Sequence, residues 1–387
     1  MTPAKMDYAH DVFDYGSWEN AFFMPRPCML KYDGTVDYYL DPDDYTKKID
    51  GTPSDVGDAN YDGNAMVEWG RDGNKIWYKI VPDSDPESAS VYIANTKIDN
   101  GYVAWPFVNF EGDLVNHFYT AIYNGSLDSS GRLRSLSGVN YSNFCKNKLL
   151  TGSVTCAKKN NPTGSNLWYI DTWADVVLIR LLHILVGKSL SGQTVFGNGR
   201  CGQINVNSAI SSGTMDAKGL FWGAQADENG KCDFGVKTFG MCNFWGNMAR
   251  DVQGLIGSSG IYKYKMTSGP QDGSTSGSYD DGYNGYINSG VTMPTVPSGT
   301  LPNITTQRFI GNCMLPYTTN SVNSKDYYCS AILTNKNQGP YRLRIGMAAS
   351  NTPEANGIMS MAVSANTYSA TYTWVGANLS CKPQKQK

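Results

Sequence analysis

The closing segment of the chain reads Tyr341-Arg-Leu-Arg-Ile-Gly346 at its start and Val375-Gly-Ala-Asn-Leu-Ser-Cys381 at its end. Both ends are typical of short β-strands bounded by glycine or polar residues. The chain between them is rich in Ser, Asn, Thr, Tyr and Ala. Such residues make the adaptable polar contacts of binding loops, and no obvious catalytic group lies among them. The segment therefore indicates a strand–loop–strand unit that presents a surface.

The composition excludes several classes of protein. Only 17% of the 387 residues are charged and the net charge is −2, so the basic face of a nucleic-acid-binding protein is missing. No apolar run reaches the roughly 18 residues of a membrane span, and residues 1–14 lack the apolar core of a signal peptide. We therefore expect no nucleic-acid partner and no membrane insertion. The 41 glycines and 25 tyrosines favour many turns and exposed aromatic contacts.

The sequence offers little support for a metal, a cofactor or a disulfide framework. The nine cysteines include no Cys-x-x-Cys pair, so we expect most to be reduced, buried side chains. The motif Asp58-x-Asn60-x-Asp62-Gly63 imitates the start of an EF-hand calcium loop, but its twelfth position is Trp69 where the loop needs a glutamate. We predict a turn before a strand there. No catalytic residue, metal site or cofactor is expected.

Two β-hairpins are predicted in the first part of the chain. Residues 28–32 and 36–40 flank Asp33 and Gly34, which is a strong hairpin signal. Residues 65–69 and 75–81 flank a second glycine-containing turn. Further strands are expected at residues 90–94, 103–108 and 117–123.

One long helix is predicted at residues 172–186. Asp171 or Thr172 would cap its start, and Gly187 would end it. The segment is apolar nearly all round, which predicts a buried core helix. His183 lies within it, so we interpret this histidine as a core residue and not as a ligand or base.

Two short blocks carry a resemblance to a known fold. Residues 239–247 read Phe-Gly-Met-Cys-Asn-Phe-Trp-Gly-Asn and resemble the G-x-E-N-x-W-G-N block of C-type-lectin-fold domains, with Cys242 in place of the glutamate. Residues 375–379 resemble the terminal [IV]-G-[AF]-R-L strand of the same domains, with Asn378 in place of the arginine. This fold is shared by formylglycine-generating enzymes and by the variable proteins of diversity-generating retroelements.

Longer stretches resemble a family of bacteriophage structural proteins from gut bacteria. The resemblance covers nearly the whole chain from residue 15 onwards. Each matching block is a weak signal by itself, and the blocks together are specific for this family. The blocks include residues 15–20, 27–34, 75–80, 123–127, 133–138 and 218–223. Similar proteins are tail-fibre tips or other virion-surface proteins that recognise the host.

These resemblances imply a fold class and a division of the chain. We expect an α+β protein with an N-terminal segment at residues 1–14 and a β-rich portion at residues 15–158. A C-type-lectin-like domain would occupy residues 159–387 and end in loops that face a ligand. In this family such loops project from a rigid scaffold, so their residues can change without cost to the core.

The resemblance also implies the ligand-binding residues and the partners. The variable loops map onto the following residues: Met347, Ala348, Ala349, Ser350, Asn351, Ser364, Asn366, Tyr368, Tyr372 and Trp374. The expected function is attachment of a phage to a bacterial host through a cell-surface receptor, either a protein or a glycan. Other virion proteins are expected partners, a homotrimer is the expected assembly, and the virion, made in the host cytoplasm, is the expected location.

Two alternatives stay open at this stage. The chain is either a receptor-binding protein or a structural head, tail or fibre protein whose loops simply face solvent. An enzyme on the same fold is disfavoured, because formylglycine-generating relatives need a close cysteine pair near the C-terminus. Here Cys329 and Cys381 are far apart in sequence.

Overall fold

The protein is mostly β-sheet. A computed structural model describes residues 1–205, 207–266, 286–294, 302–320, 332–333, 341–363 and 371–385. Strands account for 33% of the residues and helices for 12%, and three of the described segments are α-helices. The expected α+β class is therefore wrong, since several antiparallel sheets make the fold closer to all-β. The physical reason is that frequent glycine and aspartate turns divide most of the chain into strands, while only one long segment is apolar enough for a buried helix.

The described strands are short, and the longest has ten residues. The first eleven are β1 (Lys5–Asp7), β2 (Val12–Asp14), β3 (Arg26–Lys31), β4 (Val36–Tyr39), β5 (Gly63–Trp69), β6 (Trp77–Pro82), β7 (Ala89–Ala94), β8 (Phe118–Ala121), β9 (Ser126–Leu127), β10 (Leu133–Arg134) and β11 (Trp168–Ile170). The others are β12 (Lys237–Thr238), β13 (Met241–Cys242), β14 (Ala249–Ser258), β15 (Ile261–Tyr264), β16 (Ile287–Thr292), β17 (Asn303–Ile310), β18 (Cys313–Asn320), β19 (Ile332–Leu333), β20 (Tyr341–Ile345), β21 (Met361–Val363), β22 (Val375–Gly376) and β23 (Leu379–Cys381).

A six-stranded antiparallel sheet has the order β11–β23–β8–β5–β3–β4. It combines strands from both predicted portions of the chain, because β23 lies between β11 and β8. The predicted boundary at residue 158 thus does not separate two sheets, and the division into domains stays a prediction.

The sheet confirms one predicted hairpin and shows that the other is wrong. Strands β3 and β4 pair as expected, with Met29 opposite Tyr38. Strand β5 is buried along its whole length and lies between β3 and β8, whereas β6 pairs with β7. An apolar strand in the middle of a sheet has both edges occupied, so β5 has no edge left for its neighbour in sequence.

The predicted strand at residues 103–108 is also wrong. Trp105–Phe107 forms a turn of 3₁₀-helix instead. Pro106 lies at the start of this turn, where its missing N–H costs nothing. The predicted strands at residues 90–94 and 117–123 are confirmed as β7 and β8, the second of them shorter than expected.

A second sheet has the order β16–β15–β14–β20–β21–β19, and β22 pairs with the start of β14. Both strand-like ends of the closing segment therefore contact β14, as β20 in antiparallel and β22 in parallel. Strand β23 follows β22 directly and belongs to the six-stranded sheet. The last strands of the chain thus connect the two sheets.

The helices are α1 (Leu150–Lys158), α2 (Trp173–Gly187) and α3 (Gly192–Phe196). The predicted long helix is confirmed as α2. Thr172 and Asp175 form a capping box at its start, which satisfies two backbone N–H groups. At its end Lys188 adopts a left-handed conformation. Among the described residues no helix is both long and apolar enough to cross a membrane.

Side chains of the six-stranded sheet alternate between two cores. Trp69 and Phe118, with ring centroids 5.8 Å apart, belong to the core that includes α2. Met66 and Tyr119 face the opposite side and pack with residues of α1. Because side chains alternate along a strand, Glu68 lies on the same face as Met66 and Tyr119.

Candidate ligand-binding surface

Three of the ten predicted site residues are buried. Met347, Ala348 and Ala349 have exposed fractions of 3%, 2% and 0%. The Ala349 N–H donates to the carbonyl of Asn247, and the Ala349 carbonyl accepts from Gln203. These bonds turn the loop inward, so the expectation that these three side chains project outward is wrong. Whether they influence a ligand stays a prediction.

Ser350 and Asn351 lie at the solvent-facing side of the same loop and are partly exposed. The Asn351 side-chain oxygen accepts a hydrogen bond of 2.9 Å from the Ala348 N–H. The Asn351 carbonyl accepts another, of 2.7 Å, from Gly202. The loop is therefore held by its own side chain and by a neighbouring segment.

Tyr372 and Trp374 form a partly exposed aromatic pair, with ring centroids 5.2 Å apart. The guanidinium of Arg344 lies 4.4 Å from the Tyr372 centroid and 5.3 Å from the Trp374 centroid. A cation in this position attracts the face of an aromatic ring. The other three predicted residues, Ser364, Asn366 and Tyr368, lie outside the described residues.

Arg344 belongs to a buried charge cluster within the second sheet. Its side chain is 1% exposed and lies 3.5 Å from the carboxylate of Asp251, which is 3.2 Å from Arg342. Burial lowers the pKa of the Arg344 guanidinium, and the charge of Asp251 opposes that shift. Since arginine keeps its proton in proteins, the aromatic pair rests on a fixed positive charge.

Two further residues of this surface escaped sequence reasoning. The hydroxyl of Tyr141 lies 2.7 Å from the carbonyl of Thr373 and 2.9 Å from the side-chain oxygen of Asn207. These contacts join segments more than 60 residues apart in sequence. No local pattern predicts a contact over such a separation.

The segment that carries Asn207 also connects the two predicted loops. Its start contacts Ala349 and Asn351 through the backbone of Gly202 and Gln203. Nearby, Ile204 is fully exposed. We call the partly or fully exposed residues of these segments the C-terminal surface, which consists of Tyr141, Ile204, Asn207, Ser350, Asn351, Tyr372 and Trp374.

The block at residues 239–247 is buried and packs behind this surface. Phe239 and Gly240, both with positive φ, form the turn between β12 and β13, as the two-residue turns of hairpins require. Asn247 donates to Asn124 at 2.9 Å and accepts from the Ile210 N–H at 2.8 Å. The block is therefore a structural element, and its last residue, Asn247, holds the chain at Ile210.

The C-terminal surface carries amides, hydroxyls and aromatic rings. None of its seven residues bears a carboxylate, an imidazole or a thiol. Elsewhere, the described part of the chain contains no group of three or more His, Cys, Asp or Glu side chains arranged to hold a metal ion. At the EF-hand-like motif the Asp58 carboxylate accepts from the Asn60 N–H at 2.8 Å, which is the predicted turn before a strand.

No protein family matches this chain in sequence, and no curated protein is significantly similar to it. The resemblance to phage host-recognition proteins therefore stays a prediction.

Proposed function

We propose that the chain is a surface protein of a phage virion that binds a receptor on a bacterial cell through its C-terminal surface. The observation that carries this proposal is the aromatic pair of Tyr372 and Trp374, partly exposed and held on the buried Arg344. Aromatic anchors with few rotatable bonds supply contact area at a low entropic cost. Their fixed position further reduces the cost of ordering on binding.

The proposed mechanism is recognition without chemical change. Tyr372 and Trp374 provide the apolar contact area, while Asn207, Ser350 and Asn351 provide hydrogen-bonding groups around it. Such a surface suits a protein or a glycan receptor. Each contact is weak, so several copies on one particle, in a homotrimer or a higher assembly, would multiply the affinity.

Binding of the purified chain to bacterial cells tests the proposal. The fluorescently labelled wild-type chain and the Tyr372→Ala/Trp374→Ala double variant would be titrated onto a panel of gut bacterial strains and followed by flow cytometry. We expect the wild type to bind at least one strain and the double variant to lose affinity for it by at least about tenfold, as for the loss of an aromatic hot spot.

A matched control distinguishes specific binding at this surface from non-specific adsorption through exposed aromatic rings. Tyr92→Ala removes an aromatic ring that is 49% exposed on β7, outside the C-terminal surface. It should leave cell binding within about twofold of the wild type. If no strain binds the wild type, the chain is better explained as a head, tail or fibre component without receptor contact. Equal losses in the control and the double variant would also reject the proposed surface.

A further inference from the structure

A cleft opens on the six-stranded sheet, on the face opposite helix α2. Its volume is about 460 Å³, and its polar lining residues include Tyr39, Glu68, Asn116, His117, Tyr119 and Lys385. This volume lies within the range of roughly 300–1,000 Å³ that is usual for small-molecule sites. The cleft shares no residue with the C-terminal surface, so its interpretation does not depend on the proposed function.

Glu68 forms the floor of this cleft and is only 2% exposed. Its Oε1 atom accepts from Arg26, whose Nη2 and Nε atoms lie at 2.7 and 3.1 Å. The hydroxyl of Tyr119 donates to Oε2 at 3.1 Å, and that of Tyr39 lies 3.1 and 3.3 Å from the two oxygens. A buried carboxylate needs this many partners to be tolerated, and its charge is balanced by one guanidinium.

The two phenols are the groups that Glu68 orients. Burial and the neighbouring carboxylate raise the pKa of both Tyr39 and Tyr119, so both keep their protons at neutral pH. Each proton is directed at Glu68, which leaves the lone pairs of both hydroxyl oxygens as acceptors. A ligand in the cleft therefore meets two acceptors at its floor.

His117 adds a polar group at the side of the cleft. Its Nδ1 atom lies 3.9 Å from Oε2 of Glu68, which is longer than a hydrogen bond. Nδ1 is buried and has no hydrogen-bond partner among the described residues. The His117 side chain as a whole is 25% exposed and lines the cleft, so a ligand there can contact its ring.

The charges of the cleft disfavour an ionic ligand. The charge of Glu68 is neutralised by Arg26, and Lys385 lies 3.7 Å from the carboxylate of Asp113. A cation would find the carboxylate oxygens already occupied, and an anion would compete with Asp113 for the lysine. A neutral molecule that carries several hydroxyl groups meets these demands, because each hydroxyl both donates and accepts.

We propose that this Glu68 cleft binds one or two rings of a neutral saccharide. Sugar hydroxyls would donate to the Tyr39 and Tyr119 oxygens and bond to His117, and the partly exposed ring of Tyr39 would contact the apolar face of the sugar. Cleavage of the saccharide is not part of the proposal. Hydrolysis of a glycosidic bond usually uses two carboxylates, whereas Glu68 is the one carboxylate that lines the described cleft.

Saturation-transfer NMR on the full chain tests this proposal. The probes are cellobiose, lactose, maltose and N,N′-diacetylchitobiose, with inorganic phosphate and cadaverine as charged comparisons. We expect saturation transfer to at least one disaccharide, a dissociation constant on the order of 1 mM, and no cleavage during overnight incubation. The variants His117→Ala and Tyr39→Phe should each weaken that binding by about three- to tenfold, the effect of one hydrogen bond.

Tyr38→Phe is the matched control. Tyr38 precedes Tyr39 on β4, and its hydroxyl donates to Asp55 at 2.8 Å, away from the cleft. Because neighbouring side chains point to opposite faces of a strand, this variant should bind the disaccharide within about twofold of the wild type. Absence of binding to all four disaccharides, preferential binding of phosphate or cadaverine, or unchanged binding in His117→Ala and Tyr39→Phe would each overturn the proposal. Thermal melting of every variant identifies any loss that arises from unfolding.

Discussion

Two of the arginine–carboxylate clusters among the described residues lie in different sheets and have different surroundings. In the second sheet Asp251, 1% exposed, lies between Arg342 and Arg344, which are 0% and 1% exposed. In the six-stranded sheet Glu68 is 2% exposed, but its partner Arg26 is 31% exposed and reaches the protein surface. The first cluster is enclosed by protein, whereas the second borders a cleft.

This difference in exposure suits the two clusters to different roles, one in stabilising the fold and one in contacting a ligand. An enclosed ion pair pays a high desolvation cost and depends on every partner being present. The Asp251 cluster therefore fixes the strands and, through Arg344, the aromatic pair of Tyr372 and Trp374. The Glu68 cluster has a partly exposed partner, Arg26, and lies at a cleft, so similar chemistry stands where the proposed ligand could reach it.

The Asp251 cluster should show the largest effect on stability. Asp251→Ala leaves two buried guanidinium groups without their carboxylate, and we expect the free energy of unfolding to fall by about 3–5 kcal/mol. Urea unfolding followed by circular dichroism measures this loss. A loss below about 1 kcal/mol would contradict the interpretation that protein encloses this cluster and keeps water from it.

His183 extends the comparison to a buried ionisable group whose nearby charges, those of Arg180 and Arg250, have the same sign as its own protonated form. Its Nδ1 donates to the Ile179 carbonyl at 2.8 Å, and its ring contacts Phe239 at a centroid distance of 4.9 Å. Burial lowers its pKa from 6.5 to about 3, and the nearby charges of Arg180 and Arg250 act in the same direction. The structure thus confirms that His183 is a core residue.

The pH dependence of stability follows from this shift. The unfolded chain binds a proton at His183 below about pH 6.5, while the folded chain does not until about pH 3. The contribution of the neutral imidazole is therefore complete above pH 6.5 and is lost as the pH falls towards 3. Between pH 7 and pH 5 the wild type should lose about 2 kcal/mol more than the variant His183→Phe. Parallel urea titrations at both pH values measure the difference, and equal losses would contradict it.

The Glu68 cluster should show the smallest effect on stability. Glu68→Gln keeps the shape of the side chain, and Arg26 can compensate through water and through Asp72, which lies 3.5 Å away. We expect a loss of about 1–2 kcal/mol, because a charged hydrogen bond, which contributes about 1.5–3 kcal/mol, is weakened and not removed. The same urea experiment measures it, with Asp72→Asn as an exposed control that should change stability by less than about 0.5 kcal/mol. A loss equal to that of Asp251→Ala would remove the distinction between the clusters.

Local patterns in the sequence determined several elements. Thr172 and Asp175 cap a helix that is apolar nearly all round, and Asp33 with Gly34 joins β3 to β4. Both outcomes follow from interactions within a few residues, which the sequence displays directly. The strand character of both ends of the closing segment was predictable for the same reason.

Strand partners, burial and the cleft were decided only by tertiary structure. Strand β5 pairs with β3 and β8 instead of β6, and this places Glu68 opposite both Arg26 and Tyr119. The loop at Ala348 and Ala349 turns inward because of backbone contacts to Gln203 and Asn247, which are about 100 residues or more away along the chain. The free energy of such contacts depends on which distant segments meet. A local sequence pattern specifies the shape of each element, whereas the choice among distant partners is made by the packing of the whole chain.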